Sequence, residues 1–387
     1  MGILPRRLRL DLAAGRSAFL WGPRKTGKTT YLKTTFPDSL VFDLLDTDLA
    51  FEFLKRPALL RERLLAADPD RLKVPVILDE VQKVPALLDE IHGLIESPRH
   101  PRFILCGSSA RKLRRSGVNL LGGRAWRFEM HPLAFPELEA PDLLRILNRG
   151  LIPSHYLDEE YSKSLRAYVR DYLKEEVFNE GLVRNLPAFS RFLDAVGYSH
   201  GELVNHANIA RDCGVDAKTV REYYQILVDT LLGVHLEPYK KRQERQVITK
   251  AGKFYLFDVG VAGSLVHRTV VEERGEDFGK AFEHYVLMEL LAHRSYEGLD
   301  HEIRFWRTKS GLEVDFILGA AEAAIEVKGT SRVDPADLRG LRRFREDHHP
   351  KKAIVVSNER APRLHEGIEI VPWRDFLGRL WSGSVLS

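Results

Sequence analysis

The chain has 387 residues, enough for two or three domains, and its hydrophobic fraction of 44% is that of an ordinary globular protein. Basic and acidic residues nearly cancel (59 against 55, net +4), so bulk charge does not make it a nucleic-acid binder; a binding face would have to come from local basic clusters. No apolar run is long enough to span a bilayer, Met1–Leu12 is too short and too charged for a secretory leader, and the two cysteines, Cys106 and Cys213, stand far apart in apolar contexts. Together these predict a cytoplasmic protein with buried thiols, no membrane contact and no disulfide or cysteine metal cluster.

Near the N-terminus the apolar run Ser17–Trp21 leads into Gly22-Pro23-Arg24-Lys25-Thr26-Gly27-Lys28-Thr29-Thr30, which has the form G-x-x-x-x-G-K-[ST]. Two glycines let the backbone curl so that its N–H groups face phosphate oxygens, Lys28 reaches the outer phosphates, and Thr29 offers a hydroxyl to Mg²⁺. A helix starting here aims its positive end at the same anion. A chance match in a chain of this length is a roughly 1% event, which sets aside an ordinary Gly-rich turn and predicts a site for ATP with Mg²⁺.

Short apolar strands then alternate with amphipathic helices: strands at Ala18–Trp21, Leu40–Asp43, Val76–Leu78, Arg102–Cys106 and Ala125–Glu129, helices at Leu59–Ala67 and Ala86–Ile95. This is the pattern of an α/β domain with a parallel sheet covered on both faces. Val76-Ile77-Leu78 runs into Asp79-Glu80, two carboxylates at a strand end, where buried charge needs a partner or a metal. Asp79 is expected to hold Mg²⁺ and Glu80 to polarise the attacking water, so hydrolysis and not binding alone is predicted. The fourth strand ends in Gly107-Ser108-Ser109, and a basic run, Arg111–Arg115, follows. Arg124 precedes the fifth strand and is expected either to sense the γ-phosphate in its own subunit or to act on a neighbour's nucleotide. The second role implies a homo-oligomer.

From Gly150 to Leu236 the pattern is helical, with a long amphipathic helix over Tyr156–Phe178 that runs into Asn179-Glu180-Gly181. Asn208–Leu227 carries a helix–turn–helix signature: Ala210 where two helices cross, Gly214 at the turn, and Ile209, Val215 and Val220 in apolar slots. The second helix presents Asp216, Lys218, Thr219, Arg221 and Glu222 outward, a face that suits DNA or a protein partner. The run Tyr239–Arg245 has the composition of a β-wing tip, or of a solvated hairpin.

Beyond Asp277 come an amphipathic helix, Asp277–His293, a strand at Arg304–Arg307, an alternating pair at Leu312–Leu318 and Ala323–Lys328, a helix at Pro335–Phe344, and strands at Ala353–Val356 and Ile368–Val371. Asp315, Glu326 and Lys328 stand as D-x₁₀-E-x-K across the hairpin. Alternation puts Glu326 and Lys328 on one face, with Val327 opposite in the core. Two carboxylates this close repel unless a divalent cation joins them, and oxygen ligands select Mg²⁺ or Mn²⁺. The competing reading is a cross-strand salt bridge on an exposed sheet; the apolar neighbours Phe316, Ile317, Ile325 and Val327 favour a cleft.

The hairpin triplet resembles that of the restriction-enzyme-like nucleases, written PD-(D/E)xK, and the resemblance implies Glu283 as an additional helical acid at the metal site. Across nearly its whole length the chain resembles the bacterial and archaeal AAA-type ATPases with a C-terminal domain of unknown function. The matching residues are the phosphate loop, Leu78–Pro85, Cys106–Ser109, Gly123-Arg124, Gly311–Phe316 and Ile325–Lys328. The resemblance implies a P-loop ATPase domain over 1–150, a helical and winged-helix domain over 151–265, and a nuclease-like α/β domain over 266–387. It places Ser108 beside the γ-phosphate, where many relatives have asparagine. No Gln-x-x-x-Tyr follows Lys328. The expected function is ATP-dependent processing of structured or branched DNA with metal-dependent cleavage; the alternative is a nucleotide-switched DNA-binding or regulatory ATPase whose nuclease fold is idle.

Overall fold

The computed structural model describes residues 4–12, 15–108, 111, 113, 121–172, 185–240 and 251–386. Contacts divide the chain into two compact units, Arg6–His131 with Asp229–Leu232, and Met1–Pro5 with Pro132–Val228 and Gly233–Ser387. Among the described residues no helix is long and apolar enough to cross a membrane.

The first unit is built on five parallel strands, β1 (Ser17–Trp21), β2 (Val41–Asp43), β3 (Val76–Asp79), β4 (Phe103–Gly107) and β5 (Ala125–Glu129), in the order β2-β3-β4-β1-β5. Every residue of β1, β3 and β4 is buried, while β2 and β5 are partly exposed at the edges. That is what continuous apolar runs in the middle of a parallel sheet require. Phe19, Leu78 and Leu105 from the strands pack with Phe53, Leu87 and Ile91 from the helices Thr47–Lys55 and Leu87–Ile95.

In the second unit, helices Leu186–Tyr198, His206–Cys213 and Ala217–Asp229 precede an antiparallel pair, β6 (Gly233–Leu236) and β7 (Lys253–Leu256). Ile209, Ala210 and Val220 are buried, Gly214 makes the turn at φ 68°, and the Arg191 guanidinium donates to the Cys213 carbonyl at 2.8 and 3.1 Å. A six-stranded mixed sheet follows, in the order β12-β13-β11-β10-β9-β8. Its strands are β8 (Ile303–Arg307), β9 (Glu313–Leu318), β10 (Ala323–Lys328), β11 (Lys352–Ser357), β12 (Arg363–His365) and β13 (Ile368–Pro372). A single apolar core joins Leu143, Tyr255 and Val259 to Phe282, Ile325 and Trp373, so the stretches read as middle and C-terminal domains share one interior.

Two expected elements differ. The long helix over Tyr156–Phe178 is interrupted: Pro153–Tyr156 and Tyr161–Ala167 are separate, and a wider turn covers Tyr168–Tyr172. At the break the Asp158 carboxylate accepts from the Glu160 N–H at 2.9 Å and from the Ser164 hydroxyl, closing a turn ahead of the next helix. The helix expected from Pro335 begins at Arg339, behind a turn closed by Asp334 N–H donating to Asp337 at 2.9 Å. Asn179-Glu180-Gly181 and the basic residues Lys241–Arg245 lie outside the described residues.

Asp258 ties this interior together. It is fully buried, and its carboxylate accepts from Leu151 N–H at 2.7 Å and Val261 N–H at 2.9 Å, capping the helix Val259–Leu265. Asp258→Ala leaves both donors unpaired, and urea unfolding is expected to show a loss of about 2 kcal/mol. An unchanged midpoint would contradict this role.

Candidate functional sites

The phosphate loop closes β1 and opens the helix Lys28–Thr35. Gly27 sits at φ 93°, a conformation that side chains resist, and no side chain caps the helix, so its first-turn amides are left for an anion. A Cβ on Gly22 would lie 2.5 Å from the Met130 carbonyl, which explains glycine there. The Lys28 ammonium is buried and donates to the carbonyls of Gly22 (2.7 Å) and Pro23 (3.0 Å); Thr26 hydroxyl also donates to Pro23 O, at 2.7 Å. Lys25 and Thr30 are exposed, and Arg24 is half-buried.

Sheet order sets the rest of this site. β4 lies between β1 and β3, so Gly107-Ser108 is flanked by the phosphate loop on one side and by Asp79-Glu80 on the other. Thr29 hydroxyl donates to Asp79 Oδ2 at 2.5 Å, bringing together the hydroxyl and carboxylate expected at Mg²⁺. Glu80 is buried at φ 55°, a strained backbone of the kind kept at functional positions. Burial pushes its carboxyl above the usual range, while Lys28 and Arg24 pull it back. Uncapped amides, a lysine, a hydroxyl–carboxylate pair and a second acid form a donor set that fits ATP with Mg²⁺. Lys28 and the loop amides would hold phosphate oxygens, and Thr29 and Asp79 the cation. Bound there, the cation would supply charge neutralisation, with Glu80 left to take a proton from water.

Two contributors carried no sequence signal of their role. Gln82 Nε2 donates to Glu80 Oε2 at 2.5 Å and to Ser108 Oγ at 3.2 Å, so it sets the direction of the candidate base. Arg6 donates to Thr26 O at 2.5 Å and His131 O at 2.7 Å, clamping the loop. Gln82→Ala is expected to lower ATP turnover about 10- to 100-fold with little change in nucleotide affinity. A steady-state split showing unchanged kcat would contradict the positioning role.

Arg124 is a correction. β5 runs parallel to β1 with Ser17 opposite Ala125 and Trp21 opposite Glu129. The residue before β5 is therefore at the end of the sheet away from the phosphate loop, about 13 Å along the strand. Arg124 is half-buried there and pairs with Glu96, away from the phosphate loop of its own subunit.

In the second unit Asp315, Glu326 and Lys328 line one cavity of about 260 Å³ with Glu283, Lys253 and Tyr255. β9 and β10 pair antiparallel, and Val327 N–H donates to Asp315 Oδ2 at 2.7 Å, which fixes the hairpin at the site. Lys328 lies 2.6 Å from Glu326 Oε1, and Glu326 Oε2 is buried with no partner among the described residues. Burial first, then the Glu326 and Glu283 carboxylates, push Asp315 well above the usual carboxylate range. Burial likewise pushes Glu326 up to about 7, although Lys328 opposes it.

Glu283 reaches the wall but not a ligand cluster: its Oε1 accepts from Tyr255 OH at 2.5 Å and lies 3.5 Å from Lys253. Among the described residues no three His, Cys, Asp or Glu side chains gather closely enough to hold a metal ion. Asp315 and Glu326, with an oxygen to spare, fit a hard cation that keeps most of its water, as Mg²⁺ does.

Residues 15–139 match an AAA domain family. That stretch thus carries an AAA-type P-loop domain, followed by further domains. Those domains match families described only as domains of unknown function, DUF8612 over 140–271 and DUF4143 over 278–376. Uncharacterized proteins of Mycobacterium tuberculosis (Rv2008c) and Mycobacterium bovis (Mb2031c) are each 26% identical over 379 residues, covering 95% of this chain and 82% of theirs. A solved STAND (signal transduction ATPase with numerous domains) protein with a tetratricopeptide repeat sensor, from Pyrococcus horikoshii, aligns with 76% of this chain and 50% of its own at 12% identity. Its TM-score of 0.21 is too low to bear on the fold.

Proposed function

We propose that this ATPase processes DNA, its nucleotide state governing a winged-helix-like segment and a metal-dependent nuclease site in the second unit. The observation that carries the reading is the convergence of Asp315, Glu326 and Lys328 on one cavity, with a buried carboxylate oxygen left unpartnered. There Lys328 would steady charge building on a scissile phosphate, and the two carboxylates would hold Mg²⁺ or Mn²⁺, whose chemistry is to activate water and neutralise the phosphate.

The three helices followed by the β6–β7 pair support a winged-helix comparison, and Lys218 and Arg221 stand exposed on the third of these helices, Ala217–Asp229. Binding of fluorescent single-stranded, duplex, forked and four-way DNA, with and without ATP, tests the DNA reading. Structured DNA is the expected preference, since no cluster of base-reading side chains is present in the sequence. Affinity is expected to fall roughly a thousandfold between about 50 and 200 mM salt if several phosphates are neutralised. Replacing Lys218 and Arg221 by alanine should flatten the log–log salt slope by about 1.8, the share of two phosphate contacts. An unchanged slope returns both residues to ordinary surface.

A second reading, a nucleotide-switched binding or regulatory ATPase with an idle nuclease fold, is favoured by the lack of a three-carboxylate cluster among the described residues. Cleavage assays with Mg²⁺ and Mn²⁺ separate the two.

A further inference from the structure

Lys253 is a lysine where a soluble protein seldom keeps one. It is 4% exposed, on β7, in the segment before the nuclease-like part of the chain. Its backbone is held from both sides, by pairing with Leu236 and by a bridge to Leu203. The ammonium reaches Glu313 on β9 and lies 3.5 Å from Glu283, with the Phe305 ring 5.6 Å away. Tyr255, two residues on and facing the same way, donates to Glu283 at 2.5 Å. Glu313 is also held by Arg307, at 3.0 Å.

Charge in the cavity is uneven. At its mouth Lys280 pairs with Glu202 at 3.4 Å and Glu276 at 2.8 Å. Inside, the four carboxylates of Glu283, Glu313, Asp315 and Glu326 face the two ammonium groups of Lys253 and Lys328. Buried carboxylates need partners, and with Arg307 on Glu313 acids still outnumber bases, a shortfall that one divalent cation would cover. The imbalance is not spread evenly. Glu283 and Glu313 already have cationic partners, whereas among the described residues Glu326 meets Lys328 through one oxygen and keeps the other, buried, without a partner, and Asp315 accepts from the Val327 N–H at 2.7 Å.

We propose that Lys253 serves as a built-in second cation: its ammonium fills the place between Glu283 and Glu313, so the site takes one divalent cation, at Asp315 and Glu326, and is complete only with β7 of the preceding segment. This rests on the cation-dependent reading of the same cavity. It also accounts for Glu283 standing at the wall without joining a ligand set. Lys253 acts as a positioning residue, keeping Glu283 and Glu313 away from the cation and fixing the cavity wall.

The test is Mn²⁺ stoichiometry on the full chain carrying Lys28→Ala, which disables the nucleotide site, followed by electron paramagnetic resonance and calorimetry without nucleotide. One tight Mn²⁺ per chain is expected, lost in Asp315→Asn and kept in Glu283→Gln. Lys253→Met should bind two, because Glu283 and the Glu313 oxygen that Lys253 holds lose their cation, while Arg307 keeps the other Glu313 oxygen. Two Mn²⁺ in the parent, loss of binding in Glu283→Gln, or a single Mn²⁺ in a Lys253→Met protein with a parental melting curve would each overturn the proposal. Should Lys253→Met not fold, the parent stoichiometry and the Glu283→Gln result still decide it. No Asp315-dependent Mn²⁺ binding in the parent would overturn the cation site itself, and the role of Lys253 with it.

Discussion

Lys28→Ala is expected to abolish ATP binding, whereas Glu80→Gln should bind ATP and hydrolyse it about 10²- to 10⁴-fold more slowly. The two effects separate because the residues do different work. Lys28 is buried within the loop, its ammonium bonded among the described residues to the Gly22 and Pro23 carbonyls, contacts that phosphate oxygens can replace. Removing it deletes the buried ammonium at the loop, which the half-buried Arg24 and the exposed Lys25 do not replace. Glu80 is one residue beyond β3, oriented by Gln82 and kept off the loop itself. Glutamine preserves its size and its hydrogen bonding but takes no proton. Nucleotide affinity measured by calorimetry and turnover measured by phosphate release distinguish the variants. Wild-type turnover in Glu80→Gln would remove Glu80 from the reaction.

The second large effect concerns the cavity in the other unit. With Mg²⁺ or Mn²⁺ the protein is expected to nick DNA, and Asp315→Ala or Glu326→Ala should reduce nicking to background. Each substitution removes one of the two carboxylates left without a cationic side chain of its own or with a free oxygen, and Glu326→Ala also strips Lys328 of its ion pair. Lys328→Ala should be as damaging, because the loss falls on charge that develops in the transition state. Residues that act as a unit give losses that do not add, so the double variants should be no worse than the singles. Ca²⁺ is expected to support DNA binding without cleavage, its looser coordination orienting water poorly.

Much of the nucleotide site is legible in sequence because its parts are local. The phosphate loop, Asp79-Glu80 and Ser108 each sit at the end of an apolar run, and parallel pairing delivers strand ends to the same edge. Arg124 is the reverse case: adjacency to a strand says nothing about which end of the sheet it occupies until the strand direction is known. Gln82 was visible only as part of a motif, since its role depends on reaching across to Ser108 on another strand. In the second unit, alternation along β9 and β10 was enough to bring Asp315, Glu326 and Lys328 together. Lys253 and Tyr255 carry no such signal. They come from β7, about 60 residues before Asp315, and nothing in Lys253-Phe254-Tyr255 marks it as anything but a half-buried strand. Their place in the site is a consequence of the shared core that joins Tyr255 and Val259 to Phe282 and Ile325.

The most direct measurement of the central claim, that one chain carries two separate chemistries, is a side-by-side assay of ATP hydrolysis and DNA nicking on wild type, Lys28→Ala and Glu326→Ala prepared identically. The account predicts both activities in wild type, no ATP hydrolysis in Lys28→Ala, and normal ATP hydrolysis without nicking in Glu326→Ala. Nicking that survives Glu326→Ala, or its absence from wild type on every DNA structure and with both metals in the presence of ATP, would contradict it.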